Sequence, residues 1–181
     1  MSFYPILERL FQKCLSRRSA MIAAVLNVSA FNSFYAGRLL EDVPDAAMAE
    51  PAGSIVNHPA WQVGHVLCVY DMAARMLGAE AEPALAWAEA FGSGSRPVPE
   101  RGAYPPKREM LAALERGRVR LVERLKVAPA DVLGRVFPIE RLRAAIPTVG
   151  DGAAFALTAH AATHWGQLSA WRRARGMGSV M

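Results

Sequence analysis

Apolar residues recur along nearly the whole chain at the three-and-four spacing of a helix face, and nowhere at the alternating spacing of a strand. Phe3, Ile6, Leu7, Leu10, Phe11, Cys14 and Leu15 make a first such stripe, with Pro5 tolerable in an opening turn. A second helical stretch, about 19–41, carries Ile22, Val25, Leu26, Phe34 and Leu39 on its apolar face. Residues 44–54 read as a Pro/Gly-punctuated connector. Asn57-His58-Pro59 then opens a helix, a capping position followed by proline in the first turn; it should run to Leu77 and stop at Gly78. The prolines and glycines of 79–106 predict a long crossing connection with one short helix near 85–91. Pro106 starts another helix, with Met110, Leu114, Leu121 and Leu125 along one side, ending near Lys126. Pro138 and Pro147 limit regular structure in 129–149, and Asp151 reads as the cap of a last helix over 152–175 with a basic final turn.

Long helices joined by a long crossover predict an all-α fold, a four-helix bundle with an extra N-terminal helical segment over 1–18, in one domain spanning 1–181. The chain of 181 residues is long enough for one core, and its 52% hydrophobic content excludes a disordered chain. Two cysteines, Cys14 and Cys68, cannot make a disulfide framework and point to a reducing compartment, the cytoplasm. No apolar run approaches the roughly 18–20 residues that span a bilayer, so no membrane association is expected. Ser16-Arg17-Arg18 before an apolar stretch resembles a twin-arginine export signal, but the long amphipathic lead containing Glu8 argues against export.

The net charge of +5 raises the question of nucleic acid. The arginines are dispersed, and no recognition helix, zinc-finger spacing or aromatic-studded strand accompanies them. They read as a solvated surface, and no nucleic-acid partner is expected.

Four histidines are few, so their placement carries information. His160 and His164, four apart on the last helix, share a face and can chelate one divalent ion. On a helical wheel Ala153, Ala156, Gln167 and Trp171 fall within about 40° of that face, which marks it as turned inward. Two buried imidazoles need partners, and a metal supplies one. His65 shares its face with Trp61, Val69, Met72 and Met76, read as core residues, so it should enter the same bundle, with Gly64 allowing close approach. If the two helices run in the same sense, the three histidines meet at one level. Three histidines leave a coordination position open, the catalytic pattern. The alternative is a core histidine bonded to a backbone carbonyl. His58, about 10 Å from His65 along the axis, reads as a capping or pocket-rim residue. Cys68 is a candidate soft ligand or a core residue, and Gln167 a candidate hydrogen-bonding group for substrate or for a ligating histidine.

Three motifs then suggest a family. Asn57-His58-Pro59-Ala60-Trp61-Gln62-Val63-Gly64-His65 resembles the second-helix signature of the DinB/YfiT-like metalloenzymes. Phe91-Gly92-Ser93-Gly94-Ser95 with Tyr104-Pro105-Pro106 resembles the connecting loop of one branch, and His160-Ala161-Ala162-Thr163-His164-Trp165-Gly166-Gln167-Leu168 the last-helix signature. The resemblance covers about 26–176. It implies an up-down-down-up four-helix bundle, commonly a homodimer. It also implies a divalent ion (zinc, nickel, manganese or iron) on His65, His160 and His164. Characterised members of this bacterial group include transferases and isomerases that use a low-molecular-weight thiol, mycothiol or bacillithiol. The expected function is therefore a metal-dependent, thiol-assisted reaction on a small-molecule electrophile. The alternatives are a non-catalytic metal- or ligand-binding bundle and a helical oligomerisation module.

Overall fold

The first helix runs unbroken where the sequence suggested two. In the computed structural model, which describes residues 4–80 and 88–181, α1 spans Tyr4–Leu40. No proline or glycine falls between Ile6 and Ala36, so nothing interrupts the backbone ladder. The side chains of the stripe expected over 3–15 and of Cys14 lie outside the described residues.

The face that α1 buries also differs from expectation. Ser29, Asn32, Ala36, Leu39 and Leu40 are buried, whereas Phe34 is 60% and Phe31 51% exposed. The stretch Ser19–Leu40 is moreover long and apolar enough to cross a membrane by length and composition, which corrects the expectation that no segment is. Its apolarity comes from alanines and from Arg38 being its one charged residue, rather than from a visible run of large aliphatics. Two cations close its C-terminal end: Lys107 Nζ donates to the carbonyls of Leu40 (2.5 Å) and Val43 (2.6 Å), and Arg172 to that of Leu39 (2.8 Å).

After α1 come α2 (Pro59–Met76), the single turn α3 (Ala88–Phe91), α4 (Lys107–Val127), the short α5 (Ala130–Leu133), α6 (Val149–Phe155) and α7 (Ala161–Ala174). The helix predicted near 85–91 is described only from Ala88, its earlier residues lying outside the described part. Gly78, with φ +86°, ends α2 as expected. The last helix starts earlier than expected and is capped differently. Thr148 is the N-cap, and Asp151 is its reciprocal partner three residues on, the two forming a capping box. Between α6 and α7 a π turn, Ala156–His160, keeps the rod continuous.

Cross-helix contacts fix the directions. Asn32 meets Leu157 and Leu39 meets Arg172, so α1 and α6–α7 run the same way. Ser33 meets Glu115 and Leu40 meets Lys107, so α4 runs against α1. Asn57 meets Gln167 and His65 meets His160, so α2 runs against α7. The result is an up-down-down-up bundle. Trp165, Trp171, Tyr70, Leu121 and Leu157 fill its core.

Candidate metal centre

The capping of α2 sets the position of its histidine. His58 is the N-cap: its Nδ1 accepts from the Trp61 amide (3.3 Å) and its Nε2 donates to the Val98 carbonyl (2.9 Å). Both ring nitrogens are therefore engaged, and His58 stays on the backbone rather than joining the other histidines. One turn further along, the Trp61 indole stacks on His65, ring centroids 4.8 Å apart and nearly parallel, while its Nε1 donates to Ser95 Oγ (2.9 Å).

His65 is oriented from behind. Gly64 lacks the side chain that would strike Phe91: a Cβ there would sit 2.4 Å from the ring. That approach brings the Phe91 carbonyl to 2.7 Å from His65 Nδ1, which donates to it. With Nδ1 protonated, Nε2 carries the free lone pair. It faces Nε2 of His160 at 3.3 Å.

The π turn has a consequence that simple helical spacing does not anticipate. Residues five apart come into line across an i→i+5 turn, so Phe155 lies edge-on to His160 at 5.7 Å, although a regular helix would place them about 140° apart. The carbonyls of Leu157 and Thr158 within that turn accept two hydrogen bonds from Asn32 Nδ2, at 3.1 and 3.0 Å. In the sequence Asn32 stands beside Asn27, Ser29 and Ser33, so nothing local marked it as the residue that reaches this turn.

His65, His160 and His164 form a nearly equilateral triangle, with ring centroids 5.2, 4.9 and 4.7 Å apart. One nitrogen of each lies within 4.8 Å of the others. The expected meeting occurs, but not through helices of the same sense. α2 and α7 are antiparallel, and the meeting depends on the last rod beginning at Val149, so that His160 sits at mid-rod opposite His65.

Burial holds all three imidazoles neutral. His164 is pushed down to about 3 and His160 to about 4 by burial and then by the neighbouring rings; burial lowers His65 as well, against its bond to Phe91. The buried Nδ1 atoms of His160 and His164 have no hydrogen-bond partner. Neutral, converging, partly orphaned imidazoles are the donor set a divalent ion requires.

The other candidate residues are dispersed around this cluster. Cys68 lines an adjoining cavity, its thiol pushed up to about 11, and lies outside the three-imidazole group. Gln167 is half-buried and accepts from Asn57 Nδ2 at 3.0 Å. Of the residues expected in the core, Val69 and Met76 are partly buried and pack against it, and with Met72 they also line that cavity. The cavity, about 600 Å³, opens on His65 and His160. Its far wall includes Phe137 and Ile139 from the irregular segment, with Phe137 seated where a side chain on Gly152 would clash.

Fold and site together define an antiparallel helical bundle with an internal three-histidine cluster. The chain belongs to the DinB superfamily, whose family model matches residues 36–168, a span that contains all three histidines. No curated protein and no solved structure matches it.

Proposed function

We propose that this protein is a divalent-metal-dependent enzyme of the DinB superfamily acting on a small electrophile, with His65, His160 and His164 as the metal ligands. The observation that carries this reading is the convergence of three neutral imidazoles, His164 buried and His65 and His160 half-buried, two of them with a nitrogen that has no partner among the described residues. An all-imidazole set suits zinc, nickel or iron better than manganese, which favours oxygen ligands. Bound there, such an ion would act as a Lewis acid and acidify a thiol or water at the open position.

The chain supplies the rest. The Phe91 carbonyl fixes the tautomer of His65, and Trp61 holds its ring plane. Among the described residues no carboxylate joins the histidine group, so no general base stands beside it. That favours a nucleophile that ionises readily, a low-molecular-weight thiol, over water. Cys68 is not that thiol, since burial keeps it protonated at neutral pH.

The homodimer also belongs to this proposal. The exposed face of α1, with Met21, Val28, Phe31 and Phe34, is the surface a second copy would cover. The test of the metal reading is metal content by mass spectrometry on untagged protein purified without chelators, beside His164→Ala. About one ion per chain, lost in the variant, is expected. No metal, even after incubation with zinc, nickel and anaerobic iron, overturns it in favour of a bundle with core histidines.

A further inference from the structure

The cavity beside the histidine cluster has an uneven charge balance. No aspartate or glutamate lines it among the described residues, while two arginines, Arg75 and Arg141, do. Their situations differ. Arg75 is held within the fold, its Nε 2.9 Å from the buried Asp71 carboxylate, which it shares with Arg120. Arg141, exposed on the single turn Glu140–Leu142, reaches Ser93 Oγ at 3.4 Å and has no carboxylate partner among the described residues. Most of the remaining lining is apolar, with Val69, Met72, Met76, Phe137, Ile139 and Phe155.

We infer that the substrate is a hydrophobic monocarboxylate, its hydrocarbon body filling this cavity, its carboxylate on Arg141 and Ser93, and its reactive end at the histidine cluster. An apolar lining favours a hydrocarbon body, and its size matches a small-molecule site. One unmatched guanidinium beside a hydroxyl fits a single negative charge and gives charge-assisted hydrogen bonds. A polyanion would leave charge unmatched against the apolar walls. The inference rests on the proposed function for the role of the histidine end, but the carboxylate contact itself needs no metal.

The test is calorimetric titration of the full chain, metal-free and zinc-loaded, with 4-phenylbutanoate and octanoate, each beside the alcohol of the same skeleton. The carboxylates should bind about tenfold tighter than the alcohols in both forms. Arg141→Gln should abolish that preference while leaving alcohol binding unchanged, and Arg75→Gln should keep it. A preference seen only with zinc means that the carboxylate sits on the metal, which overturns the assignment to Arg141. So does equal binding of acid and alcohol, no saturable binding of any probe, or a preference that survives Arg141→Gln. If the preference holds but the protein takes up no metal, the metal reading fails and the carboxylate site stands.

Discussion

Nε2 of His65 and Nε2 of His160 face each other at 3.3 Å from helices that run in opposite directions. With His65 protonated on Nδ1, a neutral His160 can donate to it only as the Nε2–H tautomer, which ties up the nitrogen a metal would use and leaves the buried Nδ1 of His160 without a donor. A cation between them removes the conflict. Replacing His65, His160 or His164 singly by alanine should abolish stoichiometric metal binding, read by mass spectrometry, while circular dichroism stays helical. A variant that keeps a full equivalent of metal removes that residue from the ligand set.

The metal-free protein should lose stability on acidification in a defined window. The folded values of His160 and His164, about 4 and about 3, lie below the unfolded value of 6.5. The unfolded chain therefore binds more protons below about pH 6.5, and stability falls from there as pH drops toward 3. Metal affinity should persist further into acid than ordinary imidazoles allow, because protons compete for folded His160 and His164 only near pH 4 and below, and His65 is lowered as well. Urea melts and metal titrations across that range check both; an affinity that collapses near pH 6.5 would show exposed, ordinary histidines.

Gly64→Ala should be disproportionately harmful for a helical glycine. Alanine is ordinarily the better helix former by about 1 kcal/mol. Here its Cβ would meet the Phe91 ring at 2.4 Å, so a net loss of about 1–3 kcal/mol is expected, with weaker metal binding as the Phe91 carbonyl leaves His65. A stabilised variant would mean the ring moves aside without consequence.

Asn32→Ala removes both side-chain bonds to the π turn and should cost about 1–3 kcal/mol in thermal or chemical denaturation. Cys68→Ser, in contrast, should leave metal content unchanged, since its sulfur lies outside the imidazole group.

Phe31 and Phe34 are each more than half exposed on α1. Light scattering should give a dimer for the native chain and a monomer for the Phe31→Ser/Phe34→Ser double variant. A native monomer would leave this face to another role, a bilayer surface included.

Much of this was legible in the chain because its signals are local. Proline after a capping residue, glycine at φ +86° and two histidines one turn apart all act within a few residues. The inward face below His160 was legible too: His164 and Trp171 are buried as the wheel implied, whereas the π turn rotates Ala153, also buried, away from the place the wheel gave it. What was not legible depends on partners distant in sequence. Phe34 turns outward because Asn32, two residues away, is drawn inward by carbonyls 125 residues further on. Met72 reads as core from its helical spacing, but it lines a cavity whose wall includes Phe137 and Ile139, more than 60 residues away. Asp151 carries the composition of a cap, but Thr148 occupies the extended backbone position.

A π turn is a helix with one residue inserted, and here the insertion falls between two functions. His160 ends the turn and keeps ordinary one-turn spacing with His164; upstream, Phe155 and Gly152 shape the cavity. Deleting one residue from 156–159 would restore a regular helix and swing the upstream part by about 100°. The ligand pair would keep its spacing, while Phe155 and the Gly152 seat for Phe137 would turn away. The bundle thus separates the spacing of the histidine pair from the shape of the cavity beside it, so one can be retuned while the other is left alone.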